Sequence, residues 1–529
     1  MNYKKNLSDY ENLRLWDKRP IGEHVSEWAA LYGDKIACIT NGVSLSYNEL
    51  EKKSSELAYG LMELGIKVGD NVVLQIPNCN EFAVIFLALM KTGAVPIMVL
   101  PAHRKAELSG LMDKAEPVAY FIADKYQGFS YTELARELKP KRPYLKHVIV
   151  KGESEEFISL DSVYRPSGTL PKIDGYAVAQ YLLSGGTLGV PKMIPRTHAD
   201  YMYHVNICSD HCKIGNDTVY LVSLPAEHNF PLGHPGVLGT LNVGGTVVFC
   251  ENPGPDEVLD AITEYKVTIT ALVPTIAGMC AELMEYDEDY DLSSLRMLLI
   301  GGSRCEESLA RTIMEKWPKD MKVVQVYGTT EGLDIMTALD DSEDIIAYYQ
   351  GREVSGNMEV RLVDENGDDV ADGEVGEVIC RGPYTIDHYY MADEANETSF
   401  TDDGFYKTGD SAVRTKDGLF RFVGRVKEQI NRAGEKIDPG EIEGYLCSDE
   451  RILEAAVVGI PDEELNNRSC AFVRCAENCE ISLNDVYELF RELGAASYKF
   501  PDEIVTVDSW PLTKVGKIDK KQLVKMRQG

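Results

Sequence analysis

Helical and strand periodicities alternate along much of this chain, and that alternation restricts its fold more than any other feature. Residues 47–64 carry apolar side chains at helical spacing, 71–76 read as a buried strand, 80–92 as an apolar helix and 95–99 as a short strand. Strands separated by helices pair in parallel, because the crossover returns each strand in the same direction and lays its helix over a sheet face. The pattern recurs at 218–223 (strand), 255–265 (helix) and 268–273 (strand), and again from 297 to 327. An α/β fold with parallel strands covered on both faces is therefore expected. From about residue 351 to 422 the sequence changes to short strands punctuated by Gly and Asp (VRLVDENGDDV, GEVGEVICRG, TKDGLFRFVGR), which predicts a compact β subdomain of hairpins. The segment after Arg425 alternates helix and strand again and reads as a small α+β domain. A chain of 529 residues has room for this division, since single cores rarely grow beyond about 300 residues.

Charge narrows the partners. Lys and Arg number 54 against 85 Asp and Glu, a formal net charge of −31. A nucleic-acid binder needs a basic face to neutralise phosphates, and an anionic membrane surface repels such a chain. The expected partner is a small molecule or another protein. Twelve Cys are scattered from Cys38 to Cys479 with no CxxC pair, which points to a reducing compartment. The N-terminus (MNYKKNLSDYENLRLW) lacks an apolar core region, and the run from Phe82 to Met90 is about half a membrane span, so a cytoplasmic protein is expected. His204, Cys208, His211 and Cys212 fall on roughly one helical face. Their spacing suits zinc, yet the stretch reads better as an ordinary amphipathic helix.

The strongest local signal runs from Ser184 through Gly185, Gly186, Thr187 and Gly189 to Lys192, after an apolar strand-like stretch. Glycines let backbone N–H groups approach a polyphosphate, hydroxyls donate to its oxygens and Lys192 supplies a point charge. It is not the loop that ends in Gly-Lys-Ser/Thr, because Val190 and Pro191 separate Gly189 from Lys192. Downstream stand YGTTEG (327–332), YKTGD (406–410), GRVKEQINRAGEK (424–436) and PLTKVGK (511–517). Glu331 is a hard oxygen ligand suited to Mg²⁺ on ATP phosphates. Tyr327 offers a flat face for a base, and Asp410 can accept both hydroxyls of a ribose.

This ordered set resembles the adenylate-forming superfamily of acyl-CoA synthetases, peptide-synthetase adenylation domains and luciferases, and the match spans most of the chain. The resemblance implies a large N-terminal domain over 1–425 with two parallel α/β sheets and a β subdomain at about 345–425. A hinge at 426–428 and a small mobile α+β domain over 429–529 complete it. It implies ATP and Mg²⁺ as cofactors and places Lys517, Glu331 and Thr330 in catalysis, with Glu331 as the Mg²⁺ ligand. The same resemblance assigns adenine and ribose to Gly302, Ser303, Tyr327, Gly328, Asp410 and Arg425. Lys427 falls at the hinge, about which the small domain rotates between a pose that delivers Lys517 and one that presents Gly434 and Glu435.

The segment LPAEHNF (224–230), with KMIPRTH (192–198) and QINR (429–432), is similar to the stand-alone aryl-acid–AMP ligases of siderophore and related pathways, the 2,3-dihydroxybenzoate–AMP ligase group. The implied substrate pocket comprises His228, Asn229, Phe230, Gly233, Gly301 and Asp334, with Asn229 reading a hydroxyl or amine ortho to the carboxylate. Phe230, Gly233 and Asp334 stand where that group usually has Tyr, Ser and an apolar residue. Gly233 is expected to admit extra bulk. Asp334 is expected to meet either a donor on the substrate, an amine or second hydroxyl, or a protein partner, since a lone buried carboxylate is too costly. The resulting expectation is activation of a 2-hydroxy- or 2-amino-aryl acid as its acyl-AMP, followed by transfer to a pantetheine thiol. No carrier module is expected in the few residues after Lys517, so the thiol is expected on a separate aryl carrier protein. An aryl-CoA ligase using free coenzyme A shares every motif. A non-catalytic nucleotide-binding protein is disfavoured because Glu331, Asp410 and Lys517 are all present.

Overall fold

The computed structural model describes residues 10, 12–184, 190–286, 289–425, 430–432, 435–437, 439–462, 465–493, 495, 499–513 and 517–528. The helix Asn80–Thr92 lies at its centre and matches the sequence expectation at both ends. Its apolar residues run all round rather than along one stripe, which is the pattern of a helix with no solvent face. Apart from Glu81, every residue in it is buried. Gly93 ends it in the left-handed conformation, at φ 70°, and donates its N–H to the Leu89 carbonyl.

Two sheets sandwich this helix. One has seven strands, in the order Met193–Thr197, Val178–Leu183, Val95–Met98, Asn71–Gln75, Ala119–Ala123, His147–Lys151 and Ile158–Ser159. All neighbours are parallel except the first pair. The other has nine strands and is built around Lys322–Thr329, Met297–Gly301, Ile269–Leu272, Val219–Val222 and Thr246–Phe249. One continuous core passes from Val72 and Leu74 of the first sheet through Phe82 and Phe86 to Val247 and Phe249 of the second. Burying a Phe side chain is worth about 1.5–3 kcal/mol, so this shared layer binds the two sheets into one body.

A four-stranded antiparallel sheet follows, made of Glu359–Val363, Val375–Arg381, Tyr406–Arg414 and Phe420–Arg425. Beyond it a small α+β domain has its own cores, one around Ile442, Val457, Val473 and Phe490 and another around Ala456, Phe472 and Leu523. Among the described residues, no helix is long and apolar enough to cross a membrane.

Candidate active site

The strand ends of the nine-stranded sheet converge on one region. Strand Lys322–Thr329 turns through Thr330 and Glu331 into the antiparallel strand Leu333–Met336, with Gly328 paired opposite Asp334. The turn requires Gly332, whose φ is +108°, and a Cβ there would stand 2.0 Å from the Tyr384 carbonyl oxygen. Ile386 donates its N–H to the Glu331 carbonyl at 2.9 Å. Glu331 is buried, and its Oε1 accepts the Tyr389 hydroxyl at 2.9 Å. The carbonyl of Thr330 accepts from Arg196, which is fully buried and ion-paired with Asp200 at 2.8 Å. The KMIPRTH segment thus braces the turn.

Next to this turn, Tyr327 donates its hydroxyl to Asp410 at 2.7 Å and packs its ring against Phe422 at 4.4 Å. Strand register sets Arg425 directly opposite Asp410, and its Nε lies 2.7 Å from Oδ1. Burial pushes the Asp410 carboxyl up to about 6, against the pull of Arg425 and Tyr327 in the other direction. Gly302 and Ser303 lie exposed just past the end of strand Met297–Gly301.

On the other side, His228 caps the short helix Asn229–Gly233, its Nδ1 accepting the Phe230 N–H. Burial lowers the His228 pKa to about 4, helped by the positive charge of Lys517. The same lysine pulls the Asp410 carboxyl down. The positive charge of Lys517 thus bears on both His228 and Asp410. Asn229 is buried and its Oδ1 accepts the Tyr201 hydroxyl at 2.9 Å. Among the described residues nothing takes its Nδ2 hydrogens. Gly301 lets Phe230 approach, since a Cβ there would stand 3.2 Å from the ring.

Ser184 and Lys192 close the ends of the glycine-rich segment, Ser184 N–H to the Lys192 carbonyl at 3.0 Å and Lys192 N–H to Ser184 Oγ at 3.1 Å. The Lys192 ammonium sits 4.0 Å from the Tyr389 ring centroid, on the tyrosine that holds Glu331. Gly185, Gly186, Thr187, Gly189, Lys427 and Gly434 lie outside the described residues.

The chain matches the family described as "AMP-binding enzyme" over residues 25–390 and its C-terminal domain over 441–517. The protein belongs to the AMP-binding enzyme family. Among relatives of this AMP-binding enzyme, the 2,3-dihydroxybenzoate-AMP ligase of Bacillus subtilis is 42% identical over 97% of this chain and 95% of its own. The salicyl-AMP ligase / salicyl-S-ArCP synthetase of Mycobacterium tuberculosis is 39% identical over 98% and 92%. The solved apo structure of MbtA from Mycobacterium smegmatis superposes with a TM-score of 0.76 at 38% identity, over 98% of this chain and 97% of that one.

One pocket expectation fails in this AMP-binding enzyme, and another is met in its second form. Gly233 opens no space, because a Cβ there would stand 2.9 Å from the Tyr201 hydroxyl and 3.3 Å from His204 Cε1; neighbouring side chains already fill the gap. Asp334 meets protein partners, the second of its two expected alternatives, with His204 Nε2 2.9 Å from one carboxylate oxygen and His234 Nε2 against the other. Burial alone would push the Asp334 carboxyl up, but the two histidines hold it well below the usual carboxylate range. His234 escaped the sequence reading altogether. Its one signal was position, four residues after Phe230 in HNFPLGHPG.

Proposed function

We propose that this AMP-binding enzyme activates an aryl carboxylic acid bearing an ortho hydroxyl or amino group as its acyl-adenylate, then passes the acyl group to the pantetheine thiol of a separate carrier protein. The observation that carries the reading is the grouping of Tyr327, Asp410 and Arg425 beside the turn that holds Glu331, with the Tyr327 hydroxyl 2.7 Å from Asp410 and Arg425 Nε 2.7 Å from the same carboxylate. The names of the two aryl-AMP ligase relatives support the substrate class, and the second name supports the carrier.

In this reading a substrate carboxylate oxygen attacks the α-phosphorus of ATP, the bond to the bridging β-oxygen breaks, and pyrophosphate leaves. Lys517 neutralises charge between the carboxylate and the α-phosphate. The segment from Ser184 to Lys192 wraps the β- and γ-phosphates. Asp410 accepts the ribose hydroxyls with Arg425 orienting it, and Tyr327 flanks adenine with Gly302, Ser303 and Gly328. Glu331, with Thr330 beside it, would hold Mg²⁺. The fit is good, since one carboxylate oxygen is fixed by Tyr389 and among the described residues no partner takes the other. When bound, the ion supplies neutralisation of phosphate charge. Asn229 presents Nδ2 to the ortho group. The thiol then attacks the acyl carbon and AMP departs, after rotation of 429–529 against 1–425 about a hinge at 426–428 that includes Lys427.

The test is pyrophosphate exchange over benzoate, 2-hydroxybenzoate, 2-aminobenzoate and 2,3-dihydroxybenzoate. The ortho-substituted acids are expected to exceed benzoate by at least tenfold, and equal rates would overturn the substrate class. Loading of a carrier protein against free coenzyme A then decides the acceptor, and faster loading of coenzyme A would make the protein an aryl-CoA ligase.

A further inference from the structure

His204, Cys208, His234 and Asp334 bring one ligand atom each into a cluster in which every pair lies within 4.8 Å. All four are nearly inaccessible, at 1%, 0%, 3% and 1% exposure. They come from three elements. His204 and Cys208 stand one turn apart on the helix His198–His211, His234 closes the short helix Asn229–Gly233, and Asp334 sits in the strand Leu333–Met336. Helical spacing alone pointed to His211 and Cys212 as the remaining ligands. Instead His211 turns its Nε2 to the Thr337 carbonyl, 2.9 Å away, and among the described residues Cys212 joins no such cluster.

Several details are hard to explain as an ordinary polar core. The Nε2 atoms of His204 and His234 face each other at 3.2 Å while both also face the same carboxylate. In tetrahedral zinc sites with Zn–N of about 2.0 Å, ligand nitrogens stand about 3.3 Å apart. Asp334 Oδ2 lies 2.9 Å from His204 Nε2 yet has no aligned hydrogen-bond donor. A buried carboxylate oxygen left in that state is costly and calls for a ligand. His234 Nδ1 stands 3.2 Å from the Asn229 carbonyl oxygen. Donation there fixes the tautomer that leaves Nε2 as a lone pair, which is how ligating histidines are commonly oriented.

The geometry points to a divalent metal site of the zinc type, held by His204 Nε2, Cys208 Sγ, His234 Nε2 and the Asp334 carboxylate. Two neutral imidazoles with a thiolate and a carboxylate cancel the double charge of the ion, which removes the cost of burying Asp334 ionised. A thiolate with two imidazoles selects a borderline ion over Mg²⁺ or Ca²⁺. Four protein ligands fill a tetrahedron, so the ion would be structural and separate from the Mg²⁺ that Glu331 would hold. Its effect on the pocket would run through His234 to the backbone of Asn229.

Metal binding is read without substrate or ATP, so it stands or falls apart from the adenylation reading. The tagless full-length protein, purified without chelator, is expected to carry about one zinc per chain by mass spectrometry. After zinc is stripped, titration with Co²⁺ is expected to give a thiolate-to-cobalt charge-transfer band. Cys208→Ser should abolish that band and weaken metal affinity by more than about tenfold, with His204→Gln as a second variant. Circular dichroism identifies variants that retain the fold. A folded wild type that neither retains zinc nor takes up Co²⁺ would sink the proposal. So would a charge-transfer band that persists unchanged in both variants, since the ion would then lie elsewhere.

Discussion

At the scale of single residues, the decisive contact is the one that fixes Asn229. Tyr201 donates to Oδ1, so the amide orientation is set before any ligand arrives and Nδ2 is the hydrogen-bonding end that remains. Losing one such bond in a buried site costs about 1–3 kcal/mol. Asn229→Ala should therefore lower kcat/KM for 2-hydroxybenzoate about 10- to 100-fold while leaving benzoate nearly unchanged, as measured by exchange kinetics. Loss of both substrates alike would mean that Asn229 shapes the pocket rather than reads the ring. Asp410 gives a pH signature. Its folded pKa is raised from 3.8 to about 6, so its protonated form is the one favoured by the fold, and this contribution to stability fades as pH rises from about 4 through 6. Binding of ribose hydroxyls needs the ionised carboxylate, so nucleoside affinity should rise with pH through about 6. Adenosine is the right probe because it has no phosphate to titrate. Calorimetry at pH 5 to 8 should show that rise in wild type and a flat profile in Asp410→Asn.

Among elements, the turn that carries Glu331 is the most constrained. Gly332 combines a left-handed φ with a backbone oxygen 2.0 Å from where a Cβ would be. A flexible neighbour can yield to such a clash; the Tyr384 backbone cannot do so without moving Thr385, whose hydroxyl holds the Gly332 carbonyl at 2.7 Å. Gly332→Ala should cost about 2–4 kcal/mol, lower Tm by several degrees, and reduce exchange activity of the surviving folded protein because Glu331 is displaced. An unchanged Tm would show that the turn relaxes freely. Elements like this one were legible in part. YGTTEG announced a carboxylate suited to Mg²⁺ but not the turn that carries it, and the apolar run from 80 to 92 gave its helix correctly because Gly93 ends it. Strand order was not legible. The strand Ile36–Thr40 pairs with Thr246–Phe249, about two hundred residues away, and no local pattern encodes that partner. The cluster at Asp334 was hidden for the same reason, since periodicity relates His204 to Cys208 but says nothing of residues 30 or 130 positions on.

Across the whole molecule, the two domains have separate cores, yet one residue of the smaller acts on two residues of the larger. Lys517 is backbone-anchored in its own loop, where its N–H donates to Thr513 Oγ1 and its carbonyl accepts the Thr513 N–H. Its backbone is thus tied to Thr513 within the small domain, and its reach into the site depends on where that domain sits. In the arrangement seen here its charge disfavours the His228 imidazolium and favours the Asp410 carboxylate, both of which border the space assigned to the adenylate. If the thioester step uses a different arrangement, Lys517 takes no part in it. Lys517→Ala should then lower ATP–pyrophosphate exchange by about 10²- to 10³-fold, the loss typical of removing one group that stabilises developing charge. Thioester formation from chemically supplied acyl-AMP should stay within a few fold of wild type. Because Lys517 is exposed, the substitution should leave Tm unchanged, so lost exchange cannot be attributed to unfolding. Equal loss in both half-reactions would mean that a single domain arrangement serves both.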